Sequence, residues 1–160
     1  MTLIPASPGW DLRVPFEGSP PSIAAELHDL PLTLTIPLQG ARARTRVEAA
    51  LPGVAEGFVL LIHRRGSLTR LRARLHHVED ARTGNKVFDR RFALLSNDPD
   101  QARALLDRRL AQVVDQFPRA FVEIAVRHKR FALLWDGAER DPVVLDAALH
   151  LVWTGCRRRA

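Results

Sequence analysis

Residues 58–78 read FVLLIHRRGSLTRLRARLHHV, and the way this stretch pairs decides the fold. Apolar residues fill its first five positions, Gly66-Ser67 stands in the middle, and a run alternating leucine or alanine with arginine follows. A two-residue type II′ turn needs glycine at its first central position, because glycine alone takes the positive φ there at little cost. The stretch is therefore expected to form a hairpin, with strands over 58–65 and 68–78. Placing Arg65 opposite Leu68 pairs Ile62 with Leu71, Leu60 with Ala73 and Phe58 with Leu75 on the expected core face. His63 with Arg70, Leu61 with Arg72 and Val59 with Arg74 then line the other face, where guanidinium stems cover apolar surface and their heads stay in water.

Working outward, Leu32, Leu34 and Ile36 alternate with threonine, and Ala41, Ala43, Thr45 and Val47 alternate with Arg42, Arg44, Arg46 and Glu48. Both runs have the period of two that marks a half-buried strand. Another strand is expected over 87–95, after the turn Thr83-Gly84-Asn85. The period then changes. Asp98-Pro99 supplies an N-cap and a proline at the first helical position, and apolar residues from Ala102 to Phe117 recur at i, i+3, i+4 spacing up to Pro118, so a helix is expected over 99–117. Residues 121–126 and 130–135 read as a second hairpin, and Asp141-Pro142 opens a second helix on Leu145, Ala148, Leu149, Val152, Trp153 and Cys156. These elements predict an α+β fold: a mainly antiparallel sheet of about six or seven strands with two helices on one face.

A length of 160 residues suits one domain. Seven of the eleven prolines lie in the first 37 residues, so residues 1–30 are expected to be a proline-rich extended arm and residues 31–157 a single α+β domain. The formal charge of +6 is unevenly placed. Residues 1–40 carry Arg13 against Asp11, Glu17, Glu26 and Asp29, whereas residues 41–78 carry eight arginines against Glu48 and Glu56. Arg42, Arg44, Arg46, Arg70, Arg72 and Arg74 are thus the candidate binding patch, two strand faces of guanidinium groups suited to carboxylate or phosphate oxygens.

The block Thr83-Gly84, Phe88-Asp89-Arg90-Arg91-Phe92, Ser96-Asn97-Asp98-Pro99, Ala102-Arg103 and Leu105-Leu106, followed by an apolar hairpin and a terminal helix, resembles an arrangement in uncharacterised proteins of GC-rich Gram-negative bacteria, myxobacteria especially. The resemblance covers residues 78–153. Its motifs are structural, so it implies a fold and carries over no activity.

No Gly-x-Ser-x-Gly, Walker or dinucleotide glycine pattern occurs, so no catalytic residue and no cofactor are expected. His76, His77, Glu79 and Asp80 would alternate between strand faces and offer at most two ligands on either, with His63 as a distant third; a solvated strand end is expected there, and no metal. Cys156, the single cysteine, lies on the apolar face of the last helix and is expected to be a packed core thiol. No apolar stretch reaches the length of a bilayer span, and a lone cysteine fits a reducing compartment, so a cytoplasmic location is expected. The expected function is a non-catalytic interaction or scaffold domain whose partner is a protein, a second copy of the chain included; the alternative is charge-driven binding of nucleic acid or another polyanion through the arginine patch.

Overall fold

In the computed structural model, which describes residues 22–36 and 43–157, the strand β4 runs from Leu60 to Arg64 and ends there. The second half of the expected hairpin is a helix, α1, over Thr69–Leu75. Two causes can be named. The sequence TRLRARL contains only one β-branched residue and is otherwise leucine, arginine and alanine, all strong helix formers. Both edges of β4 are also already paired, with Leu60–Arg64 against β6 (Phe92–Ser96) on one side and Leu60–Ile62 against β7 (Phe121–Arg127) on the other. A strand over 68–78 would have no free edge to join. Gly66 instead starts a turn in which its amide donates to the Thr69 hydroxyl at 3.1 Å and its carbonyl accepts from the Thr69 amide.

The fold is α+β, with eight strands among the described residues in the order β1-β2-β3-β8-β7-β4-β6-β5 and every adjacent pair antiparallel. The remaining strands are β1 (Ser22–Leu27), β2 (Leu30–Thr35), β3 (Arg44–Ala50), the two-residue β5 (Glu79–Asp80) and β8 (Arg130–Asp136). The count exceeds the expected six or seven. One addition is β1, which lies in the segment expected as an arm and pairs with β2 over its whole length. Residues 1–21 of that arm lie outside the described residues. Two hairpins turn on His28-Asp29 and His128-Lys129, four residues with φ between 48° and 65°. Successive positive φ values match the right-handed twist of the flanking strands.

Among the described residues five helices stand where two were expected. The segment 87–95 divides: Lys86–Arg91 is α2, because the Asn85 side chain accepts from the amides of Val87 and Phe88, and only Phe92 onward is strand. The helix expected over 99–117 also divides, into α3 (Pro99–Leu105) and α4 (Arg108–Gln116), where Asp107 caps a new helix by accepting from the Leu110 amide at 2.9 Å. Helices α2 to α4 and α5 (Pro142–Cys156) share the large core with Leu32, Leu34, Val47, Leu60, Ile62, Leu94, Ile124, Leu133 and Trp135. The opposite sheet face has a small core of Leu61, Val78, Ala93, Leu95 and Ala125, against which Ala73 of α1 packs. The helices therefore do not all lie on one face. Among the described residues no helix is long and apolar enough to cross a membrane.

Two contacts seat α5. Gly155 meets Phe131 so closely that a Cβ built on it would lie 2.6 Å from the ring's Cε2. At the other end Glu139 gathers Arg119, the Trp135 indole and the amides of Arg140 and Asp141, while its own amide donates to the Thr45 hydroxyl. Burial opposes ionisation of Glu139, but the Arg119 hydrogen bond and the other donors outweigh it and bring its pKa down to about 2.

Gly155→Ala is expected to destabilise the fold by about 1–3 kcal/mol through overpacking against Phe131, despite the better helix propensity of alanine, as measured by urea unfolding. Because the folded pKa of Glu139 is depressed, its contribution is complete above its ordinary value of 4.5 and is lost as pH falls toward about 2. Glu139→Gln should lower stability near neutral pH and flatten the loss of stability across that acid window, a difference read from unfolding midpoints at stepped pH.

Candidate functional site

Strand alternation puts Arg44, Arg46 and Glu48 of β3 on the face away from the large core, since Thr45, Val47 and Ala49 between them are buried. Cross-strand register brings Asp136, Leu134, Ala132 and Arg130 beside them, and Glu123, Ala125 and Arg127 of β7 follow. The arginines of this face are shared among carboxylates. Arg44 donates to Asp136 at 3.2 Å, Arg46 bonds Glu48, and Arg130 reaches the other oxygen of Glu48 at 2.7 Å. Glu123 takes Arg127 at 3.5 Å and faces Arg72 of α1 at 3.9 Å. The result is a band of alternating charge across β3, β8 and β7 that ends on α1.

The six candidate arginines consequently divide. Arg42 lies outside the described residues. Arg44 and Arg46 are on a strand, as expected, and both are paired. Arg70, Arg72 and Arg74 are on a helix, so Arg70 and Arg74, four apart, share one side while Arg72 is turned to the other, and the three do not form the expected row. Two strands, β8 and β7, separate β3 from β4, roughly 14 Å at ordinary inter-strand spacing, so the structure does not bring the two groups into one bare patch. Glu26 of β1 and Asp29 in the first hairpin turn form no ion pair with these arginines among the described residues, while Asp11 and Glu17 lie outside them.

What the sequence register concealed is the outer side of α1. Leu68, Leu71 and Leu75, assigned in part to a core face by the hairpin reading, are 58%, 52% and 67% exposed. Their spacing of three and four places them along one side of the helix. Arg70 and Arg74 flank that ridge and Arg64 stands at the end of β4; none of the three makes an ion pair with another described residue. The helical signal was present in the sequence, since 68, 71 and 75 fit a period of 3.6 as well as the arginines fit a period of two.

The base of α1 is tied down. Arg65, just before the helix, bonds Asp80, just after it, at 2.7 Å and also donates to the Asp89 carbonyl. The bond to Asp80 raises the Arg65 pKa; burial works against ionisation of Asp80, yet the same guanidinium holds its carboxyl below the usual range. The amides of His76 and Val78 close the helix on the carbonyls of Arg72 and Ala73. Thus Asp80 serves this clamp, and His76 and His77 lie in the turn that leaves α1. Among the described residues no group of three or more His, Cys, Asp or Glu is placed to hold a metal ion.

A cleft of about 230 Å³ opens at the start of α1, lined in part by His63, Arg64, Ser67, Leu68 and Arg72. His63 is buried on β4 and its Nδ1–H donates to the Arg64 carbonyl at 2.8 Å, which leaves Nε2 as an acceptor without a partner among the described residues. Burial lowers its pKa, the imidazole being kept neutral. Cys156 is buried on α5, and burial pushes its thiol up to about 12, away from the thiolate that reacts.

No family model and no curated protein matches the chain. The crystal structure of the mycobacterial trehalose monomycolate transport factor A, TtfA, is similar in fold, with a TM-score of 0.58 over 91% of this chain and 84% of that one, at 11% sequence identity. What the two share is the arrangement of the sheet and its helices.

Proposed function

We propose that the chain is a non-catalytic interaction module whose working surface is the outer side of α1. The observation that carries this reading is the ridge of Leu68, Leu71 and Leu75 with Arg70 and Arg74 beside it and Arg64 at the end of β4, none of the three making an ion pair among the described residues. Isolated exposed leucines are ordinary, but three of the five large hydrophobics that are exposed among the described residues fall in eight consecutive positions. The helix that carries them is clamped at its base by Arg65–Asp80 and seated on the sheet by Thr69 and Ala73, so a partner would meet a surface already formed. Binding of a polyanion through all six candidate arginines has weaker support, since Arg44, Arg46 and Arg72 are engaged with Asp136, Glu48 and Glu123. A cytoplasmic setting is part of the proposal, on the strength of a single, buried cysteine. The fold's occurrence in a protein named a transport factor is compatible with a module that binds.

Leucines kept for a partner contribute little to the fold. Leu71→Gln with Leu75→Gln, which retains helix propensity, is therefore expected to move the thermal midpoint by no more than about 2–4 °C. A photo-crosslinking residue at position 71 in the native host should give products that the same residue at Val143, 71% exposed on α5, does not. Equal yields at the two positions would overturn the reading.

A further inference from the structure

We infer that the partner of the α1 ridge is the surface of an anionic lipid bilayer, an inference that rests on the interaction reading of this helix. Leu71 and Leu75 lie on the outer side of the helix, and Leu68 borders both that side and the cleft at its start. Leu68, Leu71 and Leu75 stand out from a helix seated on the sheet through Thr69 and Ala73, with Arg70 and Arg74 one position to the side of the leucine line. Such a helix, lying in the plane of a membrane, lets leucines enter the acyl boundary while long arginine stems carry their heads up to the phosphates. Over residues 64–80 the sequence has five arginines against Glu79 and Asp80. Arg65 and Asp80 cancel as a pair, which leaves Arg64, Arg70, Arg72 and Arg74 against Glu79, so the field of this surface is positive.

Size and composition argue against the other occupants. Three leucines a little over half exposed offer on the order of 300 Å² of apolar surface, the scale of one ordinary surface patch. A stable protein interface uses about 800 Å² on each side and draws its central anchors from tryptophan, tyrosine and arginine; the ridge has no aromatic residue. A second copy of the chain packed ridge to ridge about a two-fold axis would set Arg70 and Arg74 against their own equivalents. A bilayer needs no complementary groove, tolerates a small contact and supplies the negative charge. Because α1 is held by Arg65–Asp80 and by the burial of Thr69 and the packing of Ala73, the helix does not have to fold at the membrane, which distinguishes it from a free peptide of seven residues.

The test is co-sedimentation of the full chain with vesicles of phosphatidylcholine and phosphatidylglycerol in equal parts, against vesicles of phosphatidylcholine alone. Binding is expected to the first and not the second, and to weaken as salt rises above about 0.1 M. Arg70→Gln and Arg74→Gln should each reduce partitioning roughly fivefold. Leu71→Gln with Leu75→Gln should reduce it about tenfold or more, with circular dichroism showing the fold retained. Arg108→Gln, an exposed residue on α4, serves as the charge-matched control for each single variant and should leave partitioning unchanged. The inference is overturned by absence of binding to either vesicle, by equal binding to both, or by an equal loss in the α4 control. A concentration-dependent dimer that Leu71→Gln with Leu75→Gln abolishes would also overturn it, in favour of a second copy. Failure on vesicles with position-specific crosslinks to a protein at residue 71 sinks the lipid inference alone; failure on vesicles with crosslinks equal at 71 and 143 sinks the interaction reading with it.

Discussion

Strand β4 is enclosed on all four sides, and the rest of the molecule is arranged to make that possible. Its edges are paired with β6 and β7, and four consecutive side chains, Leu60, Leu61, Ile62 and His63, are buried. A strand in this position needs cover on both faces. On one side the cover is the large core under α2 to α5; on the other it is the small cluster around Leu61, Leu95 and Ala125, closed by α1. The chain leaving β4 thus has one use, which is to cross over that second face. Being only two turns long, α1 covers the face with Thr69 and Ala73 and leaves its other side to solvent.

The same alternation that fills the core distributes the charge. On β3, buried threonine, valine and alanine alternate with Arg44, Arg46 and Glu48, and antiparallel register supplies Asp136 and Arg130 from β8 at the right rows. Exposed pairs of this kind contribute about 0–1 kcal/mol each. Their effect is chiefly to neutralise the open half of the sheet, which makes Arg70 and Arg74 of α1, without an ion pair among the described residues, the more conspicuous cations of that face. Glu139 is a different case, since it is largely enclosed and satisfied by four donors; it fixes the loop that delivers α5 to the sheet.

Much of the architecture was legible in the chain. The Asp-Pro starts of α3 and α5, the pairing of β7 with β8 and the alternation of β2 and β3 each rest on signals within about fifteen residues, and local signals survive in the fold. Where sequence reading failed, it met a local pattern with two solutions. The run from Leu68 to Leu75 fits a strand with arginines on one side and a helix with leucines on one side. Gly66-Ser67 favoured the first. Nothing within the run reports that β6 and β7, contributed by residues 92–96 and 121–127, already occupy both edges of β4.

By itself, then, the sequence determined the class of fold, the concentration of basic residues in 41–78, the capped helices and the absence of any recognisable nucleophile or phosphate-binding motif, because these depend on residue type and near neighbours. Tertiary structure alone decided which face each arginine shares and whether a carboxylate from another strand meets it. It also decided that the leucines between Leu68 and Leu75 point outward. The reason is competition for β4: hydrogen-bonding edges and apolar faces are filled by whichever segments reach them in three dimensions, and a segment left without an edge takes its own internal hydrogen bonds as a helix.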